Sequence, residues 1–292
     1  MMRVGVVGHR GYRGLPEVMH TLSSLAPTLG FTLYFEDELL EFAPGGKPLV
    51  SFDGFDLLLT LGGDGTMLRA ARLLDGRQVP MLGINLGRLG FLTCCGIDEM
   101  ESSLRRVAAG EFQTTRRMML DVRAIDADGE ERQRWSALND AVLHKGGFAR
   151  VVGLRVSVDG ELIAAYAADG LVIATPAGST AYSLSAGGPI VVPTVESIVL
   201  SPISPHTLAI RPVVLPPTSE VTVQAVNAPD ELLITVDGQV GTSFGPGETL
   251  AVRRADDPVL LVRFPETTFF SRLRRKLAWG GLAGRDEDEQ KC

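Results

Sequence analysis

The stretch 57-LLLTLGGDGTMLRAARLL-74 decides how the rest of the chain is read. Its first five residues form an almost unbroken apolar run, the signature of a strand buried on both faces. From Thr66 to Leu74 the apolar residues Met67, Leu68, Ala71 and Leu74 recur at helical spacing. Between the two lies a tight turn, Gly62-Gly63-Asp64-Gly65-Thr66. Glycines let backbone amides approach a ligand closely, and the helix N-terminus that follows adds partial positive charge, so Gly62, Gly63, Gly65 and Thr66 suit a phosphate. The spacing is not that of a Walker P-loop, and no Lys-Ser/Thr follows. A carboxylate in an anion-binding turn repels phosphate, so Asp64 needs a task of its own: taking a proton from an attacking hydroxyl, or holding Mg²⁺. The plainer alternative is that Asp64 caps the helix and the glycines only shape the turn.

The same strand–helix rhythm runs outward on both sides. Val4–Val7, Phe31–Phe35 and Val79–Ile84 read as strands, Leu15–Leu29 and the segment from Asp98 to Ala109 as helices. Alternation of this kind predicts a doubly wound parallel sheet with helices on its faces. From Met118 the pattern changes to short runs rich in Val, Ile and Leu, punctuated by Asp128-Gly129, Asp159-Gly160 and Asp237-Gly238, which predicts an antiparallel β domain. Residues 1–117 are thus expected to form an α/β domain and 118–265 an all-β sandwich. A basic helix within 266–280, with Phe270, Leu273 and Leu277 on one side, is expected to rejoin the first domain, and 281–292 to be a solvated, disordered tail.

With 292 residues, 45% hydrophobic and 22% charged, the composition is that of a globular protein of two modest domains. Twenty-eight Lys and Arg against 35 Asp and Glu leave a net charge of −7, which argues against a nucleic-acid partner. The long uncharged stretch 170–195 is half Gly, Pro, Ser and Thr, a composition for loops and ligand contacts and not for a membrane. Cys94, Cys95 and Cys292 make no disulfide framework, and the four histidines make no metal cluster, so no residue set is expected to bind a metal directly. MMRVGVVG lacks the pattern of a signal peptide. Together these features predict a cytoplasmic protein.

Three further segments carry chemistry. In 169-DGLVIATPAGSTAYSLSAGGPIVVP-193, Ser179 and Thr180 offer hydroxyls, Tyr182 an aromatic face, and Ser183 and Ser185 follow at strand-like spacing, a surface suited to a nucleoside. In 138-LNDAVLHKGGFAR-150, Asn139-Asp140 sets an amide beside a carboxylate, able to address two ribose hydroxyls or simply to shape a turn, and Arg150 is a candidate phosphate partner. The loop 8-GHRGYRG-14 puts His9, Arg10 and Arg13 after the first strand, where α/β sheets bind ligands; it suits distal phosphates or is merely solvated.

Taken in order, GGDGT (62–66), GINLGRLGFL (83–92), LNDAVLH (138–144), the run 169–193, PHTLAIRPVVLP (205–216) and DGQ (237–239) resemble the NAD kinase family. The resemblance implies an NAD kinase/diacylglycerol kinase-like fold and Mg²⁺-dependent transfer of the γ-phosphoryl of ATP, or of polyphosphate, to the 2′-hydroxyl of the adenosine ribose of NAD. It implies Asp64 as catalytic base, with Gly65, Arg69, Asn139, Asp140 and Arg150 near the substrate. Ala177, Thr180, Ala181, Tyr182, Ser183, Leu184 and Ser185 would follow the dinucleotide, Asp169 its nicotinamide side, and Gln239 would lie beside it. Asp140 stands where the family has Glu, one methylene longer. Ala167 stands where some relatives are basic, which would loosen discrimination between NAD and NADH. Homodimers or homotetramers are implied, with no nucleic acid and no membrane. A lipid or sugar kinase sharing the turn, and a dinucleotide sensor without turnover, are the other readings; the presence of Asp64 separates kinase from sensor, and the serine- and glycine-rich run separates NAD from lipid.

Overall fold

The computed structural model describes residues 1–88, 90–146, 151–207, 209–226, 232–277 and 279. One sheet has the order Lys47–Pro48, Phe31–Phe35, Met2–Gly8, Leu57–Leu61, Met81–Asn85, Val259–Arg263, Gln113–Arg117, with Cys95–Gly96 beside Met81–Asn85. Its pairs are parallel except that between the last two strands in that order. Helices cover both faces. Leu15, Val18, Met19 and Leu22 of Leu15–Leu25 and Met100, Leu104 and Val107 of Met100–Ala108 pack on one; Met67, Leu68, Ala70, Ala71 and Leu74 of Asp64–Leu74 pack on the other. This explains why all five residues of Leu57–Leu61 are apolar or, like Thr60, fully buried.

The chain leaves Met2–Gly8 for Phe31–Phe35 on one side and enters Leu57–Leu61 on the other, so strand order reverses between Met2–Gly8 and Leu57–Leu61. Ligands of open α/β sheets bind at the carboxyl ends of strands at such a point. The loops there are Gly8–Gly14 and Gly62–Thr66.

The second half is a sandwich of two six-stranded antiparallel sheets: Val213–Leu215, Ile198–Ile203, Gly170–Ala174, Asp140–Lys145, Leu232–Val236, Val240–Phe244 over Glu161–Ala168, Val152–Val158, Val221–Val226, Thr249–Arg254, Leu120–Ile125, Glu131–Ala137. Val122, Val156, Ile173, Ile234 and Val252 are among the buried residues that fill the space between them. Asp159 and Gly160 (φ 52° and 83°), like Asp237 and Gly238 (φ 52° and 63°), are left-handed, as two-residue hairpin turns require.

Two features depart from the sequence reading. Val259–Arg263, assigned above to the β domain, lies inside the parallel sheet; a short apolar strand reads the same in either sheet, and only long-range pairing decides. Ser183 and Ser185 are not in a strand. Gly178–Thr180 is a 3₁₀ turn and Tyr182–Ser185 a single helical turn, so the small residues fold a knuckle at the end of Gly170–Ala174. The basic helix spans Phe269–Leu277; the segment 281–292 with Cys292 lies outside the described residues.

Candidate active site

At the switch point the two loops line a cleft of about 930 Å³ with His9, Arg10, Gly63, Gly65, Thr66, Arg69 and Gln239 on its walls. The His9 amide donates to the Leu61 carbonyl at 2.8 Å, and the Gly62 amide to that of Ile84 at 3.0 Å, so both loops are tied to the sheet. Arg69 faces the cleft, but its guanidinium is committed: Nη1 and Nη2 grip the two Glu36 oxygens at 2.7 and 2.8 Å, and Nη2 also donates to the Gly8 carbonyl at 2.7 Å. The Glu36 carboxylate holds its charge up. Glu36, at the end of the second strand, also accepts the Gly8 amide at 2.6 Å and was missed in the sequence; an acidic residue one past a strand was its only signal. Arg10 pairs with Glu41 at 2.9 Å on the surface.

Asp64 is the first residue of its helix, Gly63 the cap, and no side-chain cap bond is made. Its carboxylate instead reaches across to the segment after Met81–Asn85. Oδ2 accepts the Phe91 amide at 2.7 Å; Oδ1 accepts those of Leu92 at 3.0 Å and Thr93 at 3.2 Å. Two donors on Oδ1 and one on Oδ2 leave one acceptor position on Oδ2. A β-carbon at Gly90 would overlap this carboxylate, which accounts for the glycine there.

Asn139 and Asp140 are placed by Asp237. Its carboxylate accepts the amides of Leu138 (3.1 Å), Asn139 (2.7 Å) and Asp140 (3.2 Å), and Arg72 reaches its Oδ2 at 3.3 Å. Burial raises the proton affinity of Asp237, and the three amides and Arg72 oppose the shift. Asp237 entered the sequence reading only as half of a turn. From the other side, Thr175 Oγ1 donates to the Leu138 carbonyl at 2.6 Å and the Thr175 amide to that of Asn139 at 2.8 Å. Gly178 is packed so tightly on the Asn139 backbone that a β-carbon would collide with it. Asp140 itself is 4% exposed. No donor among the described residues reaches its carboxylate, which is pushed up to about 7 by burial and then by the charge of Asp237.

Gln239 joins the two domains: its Nε2 donates to the Gly65 carbonyl at 2.7 Å, and its Oε1 accepts from Arg72. Ala177 and Thr180 line a smaller cavity of about 250 Å³ with Phe91, Leu92 and Arg117, on the other side of the segment that holds Asp64. Tyr182 is 44% exposed beside Ala181, Leu184 and Ser185, while Ser183 is buried and shares a hydrogen bond with Ser201 at 2.8 Å. Ser183 therefore braces the knuckle.

Asp169 and Ala167 are not brought to these groups. Strand Gly170–Ala174 pairs Ala174 with Asp140 and Gly170 with His144, so Asp169 lies at its far end, about 16 Å from Asp140 at the usual rise per residue. Asp169 makes an ion pair with Lys145 at 2.7 Å, and Ala167 sits opposite Gly153 in the other sheet. Arg150 lies outside the described residues. Cys94 and Cys95 are buried free thiols; a hydrogen bond from Cys95 pulls Cys94 down, aided by Arg263 and Arg272 and opposed by burial, while Cys95 is pushed up.

Models of the ATP-NAD kinase N-terminal domain and the ATP-NAD kinase C-terminal domain match residues 49–112 and 138–264. The chain belongs to the NAD kinase family. It is 64% identical to the NAD kinase of Gemmatimonas aurantiaca over 98% of this chain and 99% of that one, and 47% identical to that of Geobacter sulfurreducens over 77% and 79%. Among solved structures, yeast NADH kinase complexed with NADH superposes with a TM-score of 0.87 at 26% identity, covering 98% of this chain and 89% of that one. An NAD kinase from Archaeoglobus fulgidus in complex with ATP superposes with a TM-score of 0.74 at 27% identity, covering 95% and 99%.

Proposed function

We propose that the protein phosphorylates NAD on the 2′-hydroxyl of its adenosine ribose, with ATP as donor, giving NADP and ADP. The observation that carries this is the Asp64 carboxylate, fixed by three amides at the switch point with an acceptor position left open on Oδ2. A ribose hydroxyl is a weak nucleophile and needs a base within about 3 Å. In the proposed step the hydroxyl oxygen bonds to the γ-phosphorus, the bond from that phosphorus to the β-phosphate oxygen breaks, and the hydroxyl proton passes to Asp64. His9, Gly63, Gly65 and Thr66 line the cleft where the donor phosphates would lie, with the helix N-terminus of Asp64–Leu74 adding partial positive charge. Asn139 and Asp140, held by Asp237, would address the ribose.

Among the described residues no group of three or more His, Cys, Asp or Glu could hold a metal ion. Mg²⁺ would come as an ion carried by the donor phosphates with its own waters, neutralising charge on the transferring group. Polyphosphate remains the alternative donor of the same chemistry. We further propose a homodimer or homotetramer, supported by apolar side chains exposed on one edge strand of each sandwich sheet (Leu162 and Ile163, Val213 and Val214), and a reducing, cytoplasmic setting, supported by the free thiols. No described helix is long and apolar enough to cross a membrane. The test is a coupled assay: protein, ATP and Mg²⁺ with NAD, the NADP formed being read by an NADP-specific dehydrogenase. NADP from the wild type and near silence from Asp64→Asn are expected; NAD binding without NADP from either donor would overturn the kinase reading in favour of a sensor.

A further inference from the structure

The last strand and helix of the described chain place two arginines behind the segment that holds Asp64. Arg263 Nη1 donates to the carbonyls of Leu92 (2.9 Å) and Thr93 (3.1 Å), and Nη2 to that of Phe91 (3.2 Å). Arg272, 5% exposed, donates through Nη1 to Gly90 (3.2 Å), Phe91 (3.2 Å) and Thr93, and through Nη2 to Cys94 (3.0 Å). Neither has an ion-pair partner within 4.0 Å among the described residues.

The two sets of bonds meet in the same peptide units. The Phe91 amide that donates to Asp64 belongs to the unit whose carbonyl is that of Gly90, taken by Arg272. The Leu92 amide belongs to the unit whose carbonyl is that of Phe91, taken by both arginines. The Thr93 amide belongs to the unit whose carbonyl is that of Leu92, taken by Arg263. Each of the three peptide units is thus bonded at both ends, carboxylate on one side and guanidinium on the other, an arrangement in which each bond polarises the next. Burying two guanidinium groups against carbonyls, with the Cys94 thiol beside Arg263 and no carboxylate within 4.0 Å among the described residues, is costly, and burial pushes Arg272 down to about 10. An apolar side chain would pack the same space without that cost, so charge and fork geometry are what the site uses.

We propose that Arg272 and Arg263 are positioning residues for the reaction: they fix, from behind, the three peptide units that hold and orient Asp64, which makes the C-terminal strand and helix part of the catalytic apparatus. The proposal rests on Asp64 receiving the hydroxyl proton, as above. Arg272→Lys keeps the charge and loses the fork; Arg272→Gln loses both; Asp64→Ala removes the carboxylate. For Arg272→Gln, kcat is expected to fall 10- to 100-fold with KM for NAD within threefold of wild type. Arg272→Lys should recover part of the loss, and added methylguanidinium should restore Arg272→Ala severalfold. Hydrogen exchange at the amides of 91–93 should quicken at least tenfold in Arg272→Gln and in Asp64→Ala, with Leu57–Leu61 unchanged. Wild-type kcat and wild-type exchange in Arg272→Gln would overturn the proposal, as would a loss of kcat accompanied by faster exchange throughout the parallel sheet and no rescue. A wild type that makes no NADP defeats the functional reading separately, and the exchange measurement still decides whether the clamp exists.

Discussion

Two carboxylates near the cleft, Asp64 and Asp140, share a side chain and differ in nearly everything else. Asp64 has three amide donors, arranged as water would be, on a segment itself locked by two arginines. Asp140, 4% exposed, has no donor among the described residues and the charge of Asp237 beside it, and titrates near 7. The first is solvated by the protein and held fixed, with one lone pair open on Oδ2. The second is left short of partners among the described residues, and burial and Asp237 act on it together. Burial does not by itself decide what a carboxylate does; the supply of donors around it does.

The sharpest way to break the comparison is to remove the charge of Asp64. Asp64→Asn is expected to lower kcat by roughly 10²- to 10⁴-fold with NAD affinity kept, measured by the coupled assay and by calorimetric titration. Near-normal turnover would end the assignment. Gly90→Ala leaves the charge and displaces it, because the new methyl occupies the carboxylate's position. A loss of about 10²-fold in kcat is expected from such a misplacement, and an unchanged rate would show that orientation does not matter.

Asp140→Asn probes the other carboxylate, and here activity and stability should move in opposite directions. A folded-state value of about 7 lies above the ordinary 3.8, so the stabilising contribution of the protonated group is complete below about pH 3.8 and is lost as pH rises through 7. Wild-type melting temperature should therefore fall more between pH 4 and 8 than that of Asp140→Asn. At pH 8 the variant should be more stable by roughly 1–3 kcal/mol, while its KM for NAD rises. Parallel pH profiles would contradict the isolation of Asp140. The smallest effect is expected at the seam between the domains: Gln239→Ala removes the bond to the Gly65 carbonyl and a partner of Arg72, at about 1 kcal/mol in chemical denaturation.

Much of this was legible beforehand because it is local. The run 57–74 fixes its own strand, turn and helix through apolar spacing and glycine, and Asp159-Gly160 and Asp237-Gly238 fix their hairpins through a left-handed backbone that Asp and Gly tolerate well. The cleft at GGDGT followed, since helix N-termini and strand ends lie where the chain puts them. What could not be read locally is which distant group each polar side chain meets. Arg69 looked available and is consumed by Glu36; Asp237 looked like half of a turn and holds Asn139; Asp169, expected at the nicotinamide side, meets Lys145. Val259–Arg263 and Arg272 sit about 170 residues past the loop they serve, a partnership that no periodicity encodes. Secondary structure follows from the spacing of neighbours along the chain, whereas the pairing of charges, donors and acceptors follows from how the sheets stack. In this protein the turn that carries the aspartate was written in the sequence, and the geometry that holds that aspartate was made only by the fold.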